Sequence, residues 1–369
     1  MAVRSGPLEG VVKSFWRRRR VFLTGHTGFK GGWLSLWLNR LGASVVGYSL
    51  APPTEPNLYT LAGIDTVVES HIGDVRDLDR LVRVLERSGA EIIFHLAAQP
   101  LVREGYADPV GTFETNVMGT VNLLQAVRAV DSVRTVVNVT TDKCYRNDDS
   151  GKVFVESDAL GGIEPYGASK ACSEIASDAF AHAFFDAARH QQHGVVLATA
   201  RAGNVIGGGD WARDRILPDI IRCFQSGEPV VVRHPESIRP WQHVLDPLAG
   251  YLRLARRMTV HGLQYGGAWN FGPSAVGLMP VAGIVDRCVE IWGAPARWER
   301  DGRSHLPEAK QLHLESTRAR RELDWEPRIP IDVALSSTLE WHRVVSADAS
   351  MARRTCEAQI ATYPDEELV

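Results

Sequence analysis

From Val21 onward, short apolar and β-branched stretches alternate with stretches of helical periodicity. Val21–Thr24, Ser44–Tyr48, Thr66–His71, Ile92–Leu96, Thr135–Thr140 and Val195–Arg201 read as strands with little polar alternation, the pattern of strands covered on both faces. Between them lie amphipathic stretches such as the one carrying Trp33, Leu34, Trp37, Leu38 and Leu41. Strand and helix in strict alternation predict a parallel sheet with helices on both sides, a doubly wound α/β domain over residues 21–203. After Asn204 the texture changes to Gly- and Pro-rich loops (Gly207 to Asp210, Pro229, Pro235, Pro240, Pro247). They predict a smaller C-terminal lobe of mixed α/β elements over 204–345, suited to holding a substrate and able to exchange segments with the first domain. Residues 1–20 form a basic N-terminal extension, and 346–369 a polar tail expected to fray.

The chain has 369 residues, 44% of them hydrophobic, enough to bury a full enzyme-sized core. Its 41 basic and 44 acidic residues nearly cancel, so no global field draws it to nucleic acid or a membrane surface. The run Arg17 to Arg20 is the one dense basic stretch, read as a solvated face. Five widely spaced cysteines give neither a disulfide framework nor a metal signature. With no apolar run of membrane-spanning length and no signal-peptide core, a cytoplasmic protein is expected.

Chemistry enters at the first strand-to-helix turn. Gly25, Gly28 and Gly31 stand three apart where the strand ending at Thr24 meets the Trp33 helix, so backbone amides and a helix N-terminus can cradle a pyrophosphate. Placed there, the glycines make the domain a Rossmann-type dinucleotide fold. The second strand should end in an acid for the adenosine ribose, yet Gly47-Tyr-Ser-Leu50 offers only Ser49. Lys30 is open to two readings, a partner for the 2′-phosphate of NADP or a solvent-facing helix-end lysine. NAD is the favoured cofactor.

Farther along, Thr140 and Thr141 close the fifth strand at the ligand-binding edge, and Tyr166 and Lys170 lie four apart on one helical face. An ammonium beside a phenol favours the phenolate, a base able to take a proton from an alcohol as it is oxidised. Asp142 and Lys143, following the strand-end threonine, add groups for a second proton transfer that a plain dehydrogenase does not need.

Together the glycine turn, the strand-end threonine, Tyr166, Lys170 and Asn116 in Thr115-Asn-Val-Met-Gly-Thr120 resemble the extended short-chain dehydrogenase/reductase family. Longer strings sharpen the resemblance: Gly25-His-Thr-Gly-Phe-Lys-Gly-Gly-Trp33, Ala98-Gln-Pro-Leu-Val-Arg103, Thr141-Asp-Lys-Cys-Tyr145, Arg201-Ala-Gly-Asn-Val-Ile-Gly-Gly-Gly-Asp-Trp211, Ser237-Ile-Arg-Pro-Trp-Gln-His-Val244 and Trp269-Asn-Phe-Gly-Pro273. They are similar to nucleotide-sugar 4,6-dehydratases, within them to enzymes taking a CDP-sugar, and the similarity runs from about Val21 to His342.

The resemblance implies an NAD site drawn from Gly25, Thr27, Gly28, Phe29, Lys30, Gly31, Asp74, Val75, Leu96, Ala97, Ala98, Asn116, Thr140, Tyr166 and Lys170. It implies Thr141, Asp142, Lys143, Tyr166 and Lys170 as the catalytic set, and Thr141, Asn204, Arg215, Arg239, His305 and Glu308 as contacts of the sugar nucleotide. Oxidation at C4 would acidify the C5 proton and permit loss of water from C6, with Asp142 as acid. Burial against the sugar would favour the protonated form of Asp142 and Lys143 would oppose it. Lys143 stands where many relatives place a glutamate base, so it is either the C5 base or a charge that steadies the enolate. A 4-epimerase would need neither Asp142 nor Lys143, and a non-catalytic NAD(P)-sensing protein, the other alternative, would often lose Tyr166 or Lys170, both of which this chain keeps. The resemblance also implies a homodimer or homotetramer and a place in deoxysugar biosynthesis, such as that of lipopolysaccharide O-antigen.

Overall fold

The computed structural model describes residues 15–303 and 311–364. The chain lays down β1 (Arg20–Thr24), β2 (Ser44–Ser49), β3 (Glu69–Ile72), β4 (Ile92–His95), β5 (Thr135–Val139) and β6 (Val196–Ala202). It then enters the lobe with β7 (Asn204–Ile206), β8 (Val230–Val232) and β9 (Ile238–His243), and returns with β10 (Gly267–Phe271). Two short strands follow, β11 (Leu278–Pro280) and β12 (Trp298–Arg300). Seven strands pair in parallel in the order β10-β6-β5-β4-β1-β2-β3, so the expected doubly wound sheet is present.

The period-2 geometry of a strand explains its near-continuous apolar sequence. In β1, Val21 and Leu23 enter the core layer built by α1 (Phe29–Arg40) and α6 (Leu245–His261), and Phe22 enters the opposite layer. That second layer is covered by α2 (Leu78–Ser88), α3 (Gly119–Arg128) and α4 (Pro165–Ala183). The third strand begins at Glu69 rather than at Thr66, because Ile64–Thr66 forms a helical turn behind Gly63, whose φ is +58°. The seventh strand, β10, was not among the expected six. A buried Asn270 between Trp269 and Phe271 breaks the apolar pattern that marks the others.

In the lobe, β7 pairs parallel with β9 and β11 pairs antiparallel with it, while β8 and β12 form a separate parallel pair. Three further helices, α7 (Val281–Trp292), α8 (Thr317–Leu323) and α9 (Ile331–Ala347), precede α10 (Ala352–Ala361). Two later segments, α6 and β10, belong to the sheet's layers although they follow the lobe's first strands.

Both termini correct the sequence reading. The tail does not fray over its described length: Ala352, Cys356 and Ile360 are buried, and Tyr363 packs edge-on to Trp37 at 5.2 Å. Its hydroxyl donates to Asp246 at 2.9 Å. At the other end Trp16 is fully buried in the same core, so the chain joins the domain before the arginine run ends. Arg17, Arg18 and Arg20 are exposed as expected, and Arg19 pairs with Glu91 at 2.5 Å.

This core buries histidines. Desolvation lowers His26, His243 and His342 from 6.5 to about 4, and His95 to about 3. The folded values lie below the unfolded one, so the unfolded chain takes up protons first. Their contribution is fully present above pH 6.5 and is lost as pH falls through the folded values. The predicted slope is up to about 1.4 kcal/mol per histidine per pH unit. Denaturant unfolding at a series of pH values from 8 down to about 4 checks this: the midpoint should fall steeply below about pH 6.5, and a flat profile would contradict it.

Candidate active site

The strand order reverses between β1 and β4, which opens a crevice at the carboxyl ends of the sheet. The Thr24 hydroxyl stitches its floor, accepting from the amides of Leu96 and Ala97, each at 3.1 Å, and hydrogen-bonded to His95 Nδ1 at 2.7 Å. Gly25 has a φ of +78°, and a Cβ there would come within 2.8 Å of the Ala97 backbone. At Gly31 a Cβ would lie 2.0 Å from the Gly25 carbonyl oxygen. Both are glycine for reasons internal to the fold.

Gly28 is different. A Cβ there would meet only the Gly25 oxygen at 3.4 Å, so the fold itself tolerates a side chain. Gly28 caps α1 with no side-chain hydrogen bond, and the first turn carries no acid. Free amides, the helix dipole and the space over Gly28 fit a pyrophosphate, which is the fit required of NAD.

Toward the adenosine side, Ser49 is buried and bonded to the Thr27 hydroxyl at 2.8 Å, and Thr27 donates to the Leu50 carbonyl at 2.9 Å. No carboxylate stands at the end of β2. The Asp74 carboxylate is held by Arg76 at 2.7 Å, and that guanidinium lowers its pKa. Buried Val75 packs against Gly119, where a Cβ would come within 2.7 Å of its Cγ2. Asn116 accepts from Gln99 N at 2.8 Å and donates to Gln99 O at 3.0 Å and to Ser169 Oγ at 2.9 Å. These three bonds brace the loop after β4 against α4.

Lys30 fits neither of its two readings. It sits in the first turn of α1 with its ammonium 5.9 Å from the Tyr251 ring centroid, partly buried. Desolvation, with Arg215 and Lys170 nearby and Asp142 opposing them, brings its pKa down to about 7. It therefore belongs to the catalytic end of the crevice, away from Ser49.

At that end the structure brings together the five expected catalytic residues. Tyr166 and Lys170 share a buried face of α4, whose N-terminus Glu164 caps by accepting from the amides of Tyr166 at 2.7 Å and Gly167 at 2.8 Å. Lys170 donates to the Val139 carbonyl at 3.1 Å. Burial lowers its pKa to about 8, against the pull of Glu174. Burial also pushes the Tyr166 phenol well above its ordinary value, while the Thr141 hydroxyl, hydrogen-bonded to it, and Arg215 pull it back. The pull expected from Lys170 thus comes from these two groups.

Thr141 also caps the turn Asp142–Cys144 and donates to Asp142 Oδ1 at 3.0 Å. Asp142 is 1% exposed, Lys143 Nζ lies 3.9 Å from Oδ1, and Oδ2 has no partner among the described residues. Room for Oδ2 depends on Gly203, where a Cβ would approach it to 2.9 Å.

The expected substrate contacts divide. Asn204 opens β7 directly after Gly203 and pairs in register with Trp241, beside Arg239 of β9. Arg215 at the start of α5 (Ile216–Ser226) is salt-bridged to Asp210 at 2.8 Å and close enough to Tyr166 and Lys30 to shift both. His305 and Glu308 lie outside the described residues. Trp241 fills the core as expected, donating to Met279 O at 3.1 Å.

Sequence reasoning missed a buried polar network behind the threonines. Glu174 accepts from the hydroxyls of Thr140 and of Thr199, the latter at 2.6 Å, and pairs with Arg201 at 2.8 Å. Thr140, expected at the cofactor, thus points its hydroxyl inward. The available signal was the spacing from Lys170 to Glu174, one helical turn on the same face.

The profile of the NAD dependent epimerase/dehydratase family matches residues 21–270. The chain belongs to that family. A CDP-glucose 4,6-dehydratase of Salmonella typhimurium is 48% identical over 331 residues, 90% of this chain and 92% of that protein. A dTDP-glucose 4,6-dehydratase of Streptomyces griseus is 29% identical over 259 residues, 69% and 72% of the two chains. Among solved structures, DesIV, a dTDP-glucose 4,6-dehydratase of Streptomyces venezuelae with NAD and TYD bound, superposes with a TM-score of 0.73 at 25% identity, over 89% of this chain and 98% of that one. Membership in the family makes NAD the cofactor the glycine cradle is built for.

The cradle separates two glycine substitutions. Gly31→Ala drives a Cβ into backbone and should cost about 1–3 kcal/mol of stability. Gly28→Ala should unfold within about 0.5 kcal/mol of the parent yet bind NAD at least about tenfold more weakly by calorimetry. Unchanged NAD affinity in Gly28→Ala would sink the assignment of the cradle.

Proposed function

We propose that the chain is a 4,6-dehydratase that converts CDP-D-glucose to CDP-4-keto-6-deoxy-D-glucose and water. The carrying observation is the buried Asp142, one oxygen unpartnered among the described residues, beside the Tyr166 and Lys170 pair. Redox chemistry alone gives no use for an acid at that place. The similarity to the Salmonella enzyme along 90% of the chain supports the CDP-glucose assignment.

NAD, when bound, supplies the two-electron acceptor at C4 and returns the electrons at C6. The protein's part is proton transfer and positioning. Tyr166 takes the C4 hydroxyl proton while Thr141 hydrogen-bonds the same sugar oxygen, and Arg215 steadies the phenolate as it forms. A 4-keto group then acidifies the C5 proton, which Lys143 removes. Asp142 gives a proton to the C6 oxygen as water leaves. Asn204, Arg215 and Arg239 face the diphosphate.

In our reading the enzyme is cytoplasmic and feeds deoxysugar biosynthesis, including O-antigen assembly. No helix among the described residues is long and apolar enough to cross a membrane. We also propose a homo-oligomer, most simply a dimer, formed through the helices carrying Asn116 and Tyr166. Val110, Met118 and Ile175, exposed by 67%, 49% and 56%, support it as an apolar surface wanting a partner. Ile175→Glu should leave the fold intact and give monomers in light scattering; an unchanged mass would remove this face from the interface.

Incubation with CDP-glucose should yield a product lighter by one water with no net build-up of NADH. A C4 epimer of unchanged mass would overturn the reading, and faster turnover of UDP-, dTDP- or GDP-glucose would overturn the choice of base. Lys143→Ala should keep C4 oxidation and lose water release by at least about 100-fold. Normal turnover in that variant excludes both the base and the enolate role.

A further inference from the structure

The catalytic segment is fastened at both ends by one buried ion pair. Glu174 reaches from α4 and Arg201 from β6, each no more than 4% exposed, meeting at 2.8 Å. At the near end the Glu174 carboxylate takes the Thr140 hydroxyl. At the far end Arg201 Nη1 donates to the Tyr145 hydroxyl at 2.7 Å and to the Glu156 carbonyl at 3.0 Å. Tyr145 passes the link on, donating to Asn270 Oδ1 at 2.7 Å, and Asn270 in turn donates to the Phe154 carbonyl at 3.0 Å and the Glu315 carbonyl at 3.1 Å.

Between those ends stand Thr141, Asp142 and Lys143. Asp142 has little holding it locally: one hydroxyl from its neighbour and an ammonium at 3.9 Å. Where its free oxygen points is therefore set by where Thr140 and Tyr145 are fixed. The redox pair is anchored by other means, Tyr166 through the Glu164 cap and Lys170 through the Val139 carbonyl. A buried ion pair rarely adds net stability over an apolar pair of the same shape, so its presence behind the strand ends calls for another reason.

We propose that Glu174 and Arg201 are positioning residues for the water-loss half of the reaction, holding the 140–145 segment so that the free Asp142 oxygen meets the departing C6 hydroxyl. This rests on the dehydratase reading above. Thr141 stands on the same segment and serves C4 oxidation, but Tyr166 and Lys170 keep anchors of their own, so loss of the far link falls mainly on elimination.

The test is single turnover of CDP-glucose, following bound NADH by absorbance and quenched products by mass. Tyr145→Phe removes only the far link and touches neither charge nor Lys170; Glu174→Gln removes the carboxylate at the near end. In Tyr145→Phe C4 oxidation should stay within about tenfold and water loss should slow about 100-fold; in Glu174→Gln water loss should slow similarly, while loss of the charge that opposes burial at Lys170 shifts the pH profile of C4 oxidation. Bound NADH and the 4-keto-glucose nucleotide then accumulate where the parent shows neither. In a double-mutant cycle, adding Tyr145→Phe to Asp142→Asn should slow elimination little further, since both changes act at one group.

Equal slowing of both half-reactions, or losses that multiply in the cycle, would overturn the positioning role. If Glu174→Gln does not fold, Tyr145→Phe decides alone, because it keeps the ion pair. Failure of the parent protein to release water from CDP-glucose would instead count against the proposed function.

Discussion

Gly25 lies so close to the backbone of Leu96 and Ala97 that no side chain fits between them, and that contact governs the nucleotide end of the crevice. It exists because β1 and β4 are neighbours in the sheet, so the chain's exits from the two strands lie side by side before they part toward opposite layers. Thr24 fastens them by accepting two amides from the exit of β4. With the turn held there, α1 starts where its free amides face the crevice, and Gly28 leaves room above them. The nucleotide site follows from sheet order and one hydroxyl; few of its expected residues need to reach the ligand through their side chains.

The opposite edge of the crevice is arranged by charge. Lys30, Lys143, Lys170 and Arg215 converge there on Asp142 and, behind it, Glu174. Burial makes each of these charges costly, and the chain meets the cost by pairing Glu174 with Arg201 and Arg215 with Asp210. Lys30 is left without a hydrogen-bond acceptor among the described residues, and burial, with the charges of Arg215 and Lys170 nearby, brings its pKa down to about 7.

How much of this could be read beforehand depends on whether the signal was local. The six strands and the glycine turn were legible because burial on both faces and close backbone contact restrict residue type at consecutive positions. Thr141, Tyr166 and Lys170 were legible because a strand end and a helical turn fix their relative placement. The seventh strand was not, since Asn270 in its middle serves distant carbonyls. Nor was the inward aim of Lys30, which depends on Tyr251 far along the chain. Glu174 and Arg201 stood in plain view as residue types, but their meaning lies in partners on three other elements. The C-terminal helix looked polar because only every fourth residue or so, Ala352, Cys356 and Ile360, faces the core.

If the proposed function holds, the hydrogen leaving C4 would return to C6 through a single bound NAD while Asp142 protonates the departing C6 hydroxyl. Turnover of CDP-glucose deuterated at C4, with NMR of the product, measures this directly. The account predicts a dehydrated sugar with the deuterium at C6. Deuterium retained at C4, or washed into solvent, would contradict it.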